Sequence, residues 1–135
     1  MVLQKLSPIL WTKNLQETIL FYESILGFTC CNNFPNFASL SRDHVEIMII
    51  EPTPEPEDCE NPLNNQEAFF PKPKLTGSIY IFSDNVDELW EKVKDKAIIK
   101  SDIADRAYWM RDFSILDNNG YELVFGQDIS SQQKV

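Results

Sequence analysis

Six prolines between residues 51 and 74 divide this chain of 135 residues into two halves. They are Pro52, Pro54, Pro56, Pro62, Pro71 and Pro73. Because proline lacks the amide proton that helices and sheet ladders need, we predict that residues 51–75 form a linker. Regular structure must then be built from residues 1–50 and 76–127, which we expect to form two modules of a single domain covering residues 1–135.

Each half begins with a short strand that leads into a capped helix. Asn14 can accept hydrogen bonds from the unpaired amides of a helix start, and Glu17 completes a capping box three residues later. Asn85 and Glu88 repeat this pair in the second half. Apolar residues recur at helical spacing after both caps, which predicts two amphipathic helices at equivalent points of the two halves.

Short runs of apolar and β-branched residues predict the strands. The candidates lie at residues 6–12, 28–31, 37–41 and 45–50 in the first half, and at 77–82, 97–100, 108–116 and 121–125 in the second. Asp117–Gly120 predicts a hairpin turn before the last strand. Each half therefore follows the order strand, helix, three strands, which predicts an α+β fold of two βαβββ modules. A single mixed sheet with two helices on one face is the alternative.

The acidic balance of the chain limits its partners. The sequence has 12 basic and 21 acidic residues, a formal net charge of −9, whereas proteins that bind nucleic acids or anionic membranes carry basic surfaces. We therefore expect no nucleic acid and no membrane as a partner, and favour a cationic or neutral ligand. The sequence has no apolar run of membrane-spanning length and no signal-peptide pattern, so a cytoplasmic protein is expected.

Few residue patterns are suited to a metal or a nucleophilic centre. The chain has one histidine, His44, and its three cysteines, Cys30, Cys31 and Cys59, form no CxxC pair. A disulfide framework and a structural zinc site are therefore not expected. The sequence also lacks a GxSxG elbow, a phosphate-binding glycine loop and an HExxH motif.

Four segments, in the right order, resemble the vicinal oxygen chelate superfamily, which includes glyoxalase I, bleomycin resistance proteins and extradiol dioxygenases. They are PILWTKNLQETILFYESILGF, VEIMIIEP, SIYIFSDNVDELWEKV and MRDFSILDNNGYELVFGQ. The resemblance implies paired βαβββ modules whose curved mixed sheets enclose a cleft, commonly completed by a homodimer. Residues 108–113 are most similar to the bleomycin resistance-like branch, whose members bind a drug or metabolite in a cleft without a catalytic metal.

The resemblance also assigns positions to the metal ligands of the metal-dependent members. In this sequence they fall on Ser7, Glu46, Ser78 and Val124. Glu46 alone is a plausible ligand, because serine hydroxyls bind metals weakly and valine has no donor atom. The resemblance therefore implies that no metal and no other cofactor is used, and a divalent metal at a displaced site is the alternative.

Strand alternation selects candidate ligand-binding residues. If Glu46 faces the cleft, Met48 lies beside it while Ile47 and Ile49 pack against a helix. The same reasoning and the position of residues 108–111 give the full candidate set: Trp11, Glu46, Met48, Tyr80, Phe82, Trp109 and Arg111. Core packing would also explain the aromatic residues, and an ion pair would explain Arg111.

Three functions are consistent with these residues. The leading one is a small-molecule binding protein that sequesters an amphipathic or cationic compound in an aromatic cleft, as a homodimer. The second is an enzyme, either a glyoxalase-like lyase or isomerase, or a dioxygenase-type metalloenzyme with a displaced metal. In a metal-free enzyme, Glu46 is the candidate catalytic base. The third is a structural or regulatory dimer without a ligand.

Overall fold

In the computed structural model of the protein, the described residues form two units, each with one α-helix and one four-stranded sheet. The structure describes residues 1–31, 34–52 and 75–133. The units comprise Met1–Pro73 and Lys74–Val135, and their contents confirm the predicted α+β fold of paired βαβββ modules. The alternative of a single sheet is wrong, because the described strands form two separate sheets. Most of the predicted linker, with Cys59, lies outside the described residues.

The first unit contains sheet A and helix α1. Its elements are β1 (Ile9–Trp11), α1 (Leu15–Ser24), β2 (Thr29–Cys30), β3 (Phe37–Arg42) and β4 (Val45–Ile50). The strands lie in the order β1-β4-β3-β2, with β1 parallel to β4 and the other pairs antiparallel. The first strand is shorter than predicted and begins directly after Pro8, whose carbonyl accepts a hydrogen bond from the Met48 amide at 2.9 Å.

The second unit repeats this topology in sheet B and helix α2. Its elements are β5 (Ile79–Phe82), α2 (Val86–Val93), β6 (Ile98–Asp105), β7 (Met110–Leu116) and β8 (Glu122–Asp128), followed by a 3-10 helix at Ser130–Gln133. The strand order is β5-β8-β7-β6, again with one parallel pair, β5 and β8. Across the part of the chain that the structure describes, no helix is long and apolar enough to cross a membrane.

The strand bounds in the second unit correct the sequence predictions. β6 runs to Asp105 rather than ending near residue 100, and its pairing with β7 shifts register on both sides of Ser101. Tyr108 and Trp109, predicted to begin β7, instead lie in the turn between β6 and β7. The Arg106 amide closes this turn by donating to the Met110 carbonyl at 2.7 Å. Irregular pairing of this kind depends on the partner strand, which the local sequence does not reveal.

Both helices begin at the predicted caps. The Asn14 side chain accepts a hydrogen bond from the Glu17 amide at 3.1 Å, and Asn85 accepts one from the Glu88 amide at 3.1 Å. The amides of both cap residues bond to hydroxyls two residues earlier in the chain, those of Thr12 and Ser83. The two units thus start their helices with the same local hydrogen bonds, as expected of a structural repeat.

The first amide of each helix donates a hydrogen bond to a side chain at the end of the last strand of its unit. The Leu15 amide donates to Glu51 Oε1 at 2.7 Å, and the Val86 amide donates to Gln127 Oε1 at 3.0 Å. Glu51 directly follows β4, and Gln127 lies near the end of β8. This long-range bond makes Glu51 and Gln127 equivalent residues of the repeat.

Each helix covers one face of its own sheet. In the first unit, the buried side chains of α1 are Leu15, Thr18 and Tyr22, and those of β3 and β4 are Ala38, Leu40, Ile47 and Ile49. In the second unit, Val86 and Val93 of α2 are buried together with Phe113, Ile115, Leu123 and Phe125. The predicted burial of Ile47 and Ile49 is confirmed. Side chains that alternate with these residues lie on the other side, which we call the helix-free face of each sheet.

Candidate functional site

The helix-free face of sheet A combines apolar side chains with one carboxylate. Ile9 and Trp11 of β1 are 55% and 44% exposed. Ile9 pairs with Met48 across the parallel strands, and Glu46 lies two residues before Met48 on the same face of β4. The structure therefore brings three of the sequence-selected residues, Trp11, Glu46 and Met48, to one face, as the strand alternation predicted.

Three side chains donate hydrogen bonds to the Glu46 carboxylate. Lys5 Nζ and Ser7 Oγ lie 2.8 and 2.6 Å from Oε1, and Ser39 Oγ lies 2.6 Å from Oε2. Ser7 precedes β1, and Ser39 lies in β3, where it pairs with Met48. The segment before β1 and strand β3 thus each place one hydroxyl on the carboxylate, Ser7 on Oε1 and Ser39 on Oε2.

These donors keep Glu46 ionised. The Lys5 ammonium, followed by the hydroxyls of Ser39 and Ser7, lowers the pKa of Glu46 to about 2, against the small opposing effect of burial. A carboxylate with so low a pKa is a weak proton acceptor at neutral pH, because efficient general bases titrate near the working pH. Its chemistry favours binding a positive charge over catalysis by proton transfer.

The positions that the resemblance assigns to metal ligands do not fit a divalent ion. The Ser7 hydroxyl donates its proton to Glu46, Ser78 is exposed, and Val124 has no donor atom. Three of the four acceptor sites of the Glu46 carboxylate are already in use. Among the residues that the structure describes, no three His, Cys, Asp or Glu side chains are grouped so that they could hold a metal.

The repeat identifies Glu122 as the counterpart of Glu46 in the second unit. Glu46 lies five residues before Glu51, and Glu122 lies five residues before Gln127, the equivalent residue. Val124, the position that the resemblance assigns, lies two residues later on the same face of β8. The Glu122 carboxylate accepts a hydrogen bond from Lys100 Nζ at 3.0 Å, so each of the two equivalent carboxylates is paired with a lysine.

The helix-free face of sheet B is organised around the buried carboxylate of Asp112. Its side chain is 5% exposed. Oδ2 accepts hydrogen bonds from the hydroxyls of Tyr80 and Tyr108 at 2.9 and 2.8 Å, and Oδ1 accepts one from Arg106 Nε at 2.8 Å. Two tyrosine rings from different elements are thereby fixed at one point of the sheet.

Burial and hydrogen bonds have opposite effects on the pKa of Asp112. Burial alone would raise the pKa of this carboxyl, but the bonds from Arg106, Tyr108 and Tyr80 outweigh burial and lower the pKa. Burial, and then the hydrogen bond to Asp112, raises the pKa of the Tyr80 hydroxyl. At neutral pH, Asp112 is therefore a charged acceptor and Tyr80 a neutral donor.

Gly126 leaves the space that the Tyr80 ring needs to cross β8. β8 lies between β5, which carries Tyr80, and β7, which carries Asp112. A Cβ atom at position 126 would overlap the Tyr80 hydroxyl. Phe82 lies beside this ring, with a centroid distance of 5.1 Å, and is 72% exposed. The structure thus brings the candidates Tyr80 and Phe82 together on this face.

The two remaining candidates lie elsewhere in the second unit. Trp109 is exposed at the end of the β6–β7 turn and has a φ of 64°, a conformation that bulky residues rarely adopt. Arg111 lies on the helix-covered side, where its guanidinium bonds Asp105 at 2.7 Å and Asp87 of α2 at 3.0 Å. These two carboxylates, Asp105 first, raise the pKa of Arg111. The structure does not bring Arg111 onto the face that carries Tyr80.

Sequence reasoning missed most of the polar partners on these faces. They are Lys5, Ser39, Arg106, Tyr108 and Asp112. Strand alternation alone could have found Asp112, since it is a charged residue in a strand that otherwise looks buried. Lys5 gives no signal, because its contact depends on the path of the segment before β1.

Comparisons with known proteins agree with this fold. The model of the Glyoxalase/Bleomycin resistance protein/Dioxygenase superfamily matches residues 5–125. A bleomycin resistance protein from Geobacillus stearothermophilus is 28% identical over 130 residues, 92% of this chain and 96% of that protein. A bleomycin resistance protein from Staphylococcus aureus matches with the same identity and coverage.

Solved structures show the same fold. A protein of unknown function from Agrobacterium tumefaciens has a TM-score of 0.73 at 18% identity, with 94% of this chain and 95% of that chain covered. The bleomycin resistance determinant encoded on transposon Tn5 has a TM-score of 0.67 at 16% identity, with 93% and 98% covered. With the family model matching nearly the whole length, the chain belongs to the glyoxalase/bleomycin resistance protein/dioxygenase superfamily.

Proposed function

We propose that the protein sequesters an amphipathic or cationic small molecule in an aromatic cleft, without a metal ion. The observation that carries the proposal is an ionised carboxylate, Glu46, on the same sheet face as the exposed apolar side chains of Ile9 and Trp11. Such a face offers a flat apolar body to a ligand and a fixed negative charge to its cationic end. The net charge of −9 favours the approach of cations.

The relatives support this choice. Two similar proteins are bleomycin resistance proteins, and the solved structures include another. The Ser7 and Ser78 hydroxyls are weak metal ligands, and Glu46 and Glu122 are each already paired with a lysine, which supports binding without a metal. The low pKa of Glu46 also argues against its use as the base of a metal-free enzyme.

We propose in addition that the protein acts as a homodimer. The helix-free faces expose Ile9 and Trp11 in one unit and Phe82 in the other. Exposed apolar patches of this kind are typical of surfaces that bind another molecule. A second copy of the chain would cover part of the exposed apolar surface of each unit.

Trp11 offers the direct test of ligand binding. We expect Trp11→Ala to weaken the binding of bleomycin or of a simple aromatic amine by about tenfold, because a large flat contact is lost. Its melting temperature should change little, since the side chain is partly exposed. Phe28→Ala is the matched control, because Phe28 is buried beside Tyr22 in the core of the same unit. Calorimetric titration measures the affinity for the ligand, and thermal unfolding measures the melting temperature. If Trp11→Ala lowers the melting temperature as much as Phe28→Ala does, Trp11 is a core residue and the proposal is contradicted.

A further inference from the structure

We propose that Glu46, Ser7 and Ser39 form a binding site for a primary ammonium group, and that Lys5 occupies this site until a ligand displaces it. The inference rests on the proposed function and names the chemical class of the ligand's polar end. The Lys5 side chain is itself an alkylammonium, so its contact at 2.8 Å with Glu46 Oε1 shows that the carboxylate can bind such a group.

The hydrogen-bond directions favour an ammonium. Ser7 and Ser39 each have one hydroxyl proton and donate it to Glu46. Their remaining lone pairs can only accept. A primary ammonium has three donors, and the site presents three groups that accept, namely one carboxylate and two hydroxyl oxygens. A quaternary ammonium has no N–H to donate and would use only the charge.

Lys5 is suited to be a displaceable occupant. Its side chain is 69% exposed, whereas that of Glu46 is 24% exposed. Residues 1–6 have no regular structure and are exposed. An exposed ion pair contributes little stability, because solvent screens it and the long side chain loses rotational freedom. Glu46 stays in place without Lys5, since it lies within β4 and keeps both serine hydroxyls.

The surface beside the site indicates the rest of the ligand. Ile9 of β1 lies two residues after Ser7, and its strand partner Met48 lies two residues after Glu46 on β4. Trp11 continues this apolar row. A ligand whose ammonium lies on Glu46 can therefore lay an alkyl or aryl body along these side chains, which favours an amphipathic primary amine.

Three probes that share one aromatic body separate the contributions of N–H donors, positive charge and apolar contact to binding. They are 2-naphthylmethylamine, which is protonated at pH 7, its N,N,N-trimethyl derivative and the neutral 2-naphthylmethanol. Calorimetric titrations compare the wild type with Lys5→Ala. The control is Lys92→Ala, which removes the same charge from an exposed pair with Glu88 on α2. Far-UV circular dichroism checks that each variant is folded.

We expect Lys5→Ala to bind the primary amine about two- to fivefold more tightly than the wild type, the equivalent of releasing one exposed ion pair. Lys92→Ala and the neutral alcohol should show no such gain. Ser7→Ala combined with Ser39→Ala should weaken binding of the primary amine more than that of the trimethyl derivative. Glu46→Gln should reduce the affinity for the amine to that for the alcohol.

Unchanged or weaker binding of the primary amine to Lys5→Ala would overturn the ammonium site. If the alcohol still binds and Trp11→Ala weakens that binding about tenfold, the proposed function stands while this inference fails. If no probe binds to any variant, both are overturned.

Discussion

At the scale of single residues, the absence of a side chain at Gly126 decides where Tyr80 can lie. The Tyr80 ring crosses β8 over this glycine, and its hydroxyl reaches Asp112 on the next strand. Glycine in a strand interior is normally unfavourable, so its presence often marks a close approach of another group. Here that group is the ring that completes the hydrogen bonding of a buried carboxylate.

We expect Gly126→Ala to destabilise the protein by about 1–3 kcal/mol, because the added methyl group displaces the Tyr80 ring and breaks its bond to Asp112. Urea unfolding measures this change. In a Tyr80→Ala background the same substitution should cost little or even stabilise the strand, since nothing then occupies the space. An equal cost in both backgrounds would show that the methyl group is unfavourable for another reason.

The charge on Asp112 predicts that the free energy of unfolding falls at acidic pH. The folded protein lowers the pKa of Asp112, so this residue stabilises the fold above the pKa of an unfolded carboxyl, about 4, and loses that contribution as the pH falls below it. Asp112→Asn should cost about 2–3 kcal/mol at pH 7. The difference in the free energy of unfolding between wild type and variant should narrow from pH 4 to pH 2. A difference that stays constant would contradict the assignment.

At the scale of elements, the helix starts follow from the local sequence while some strand ends do not. Asn14 and Asn85 cap their helices as predicted, because a cap depends on residues within one turn. The bonds from Glu51 and Gln127 to the first helical amides join residues far apart in the chain, and no local pattern announces them. β6 exceeded its predicted length for a related reason: pairing with β7 extends it through polar residues such as Asp102.

The cap makes a simple prediction for the first helix. We expect Asn14→Ala to lower the free energy of unfolding by about 1 kcal/mol, because the Glu17 amide loses its acceptor. Asn14→Ser should retain most of the stability, since serine also accepts this hydrogen bond. Chemical denaturation of the three proteins gives the comparison. No loss for alanine would show that the cap contributes nothing, and equal losses for alanine and serine would show that the bond to the Glu17 amide is not the cause.

In the molecule as a whole, the internal repeat made the two modules and the site face predictable from sequence, but not the partners of Glu46. The repeat predicted two βαβββ modules, and the alternation of Glu46 and Met48 with Ile47 and Ile49 predicted the face that carries the candidate site. The partners of Glu46 come from β3 and from the segment before β1. Their convergence depends on tertiary structure, so the sequence alone could select the carboxylate but not its surroundings.

The proposed homodimer is a prediction at this scale. We expect sedimentation velocity to show a dimer, and Phe82→Asp to shift the protein toward the monomer, because a charge would be placed on exposed apolar surface that the second copy covers. Leu20→Asp is the control, since Leu20 is an exposed apolar residue of α1, away from the helix-free face. A wild-type monomer at all concentrations would contradict the dimer.

Ligand binding by protein stripped of metal distinguishes sequestration without a metal from metal-dependent chemistry. Protein treated with a chelator and verified by elemental analysis is titrated calorimetrically with 2-naphthylmethylamine, before and after addition of zinc, nickel, cobalt or iron. We predict saturable binding by the stripped protein and no gain in affinity from any metal. Absence of binding without metal, followed by tight binding when one ion per chain is restored, would contradict the proposed function and identify the protein as a metal-dependent member of its superfamily.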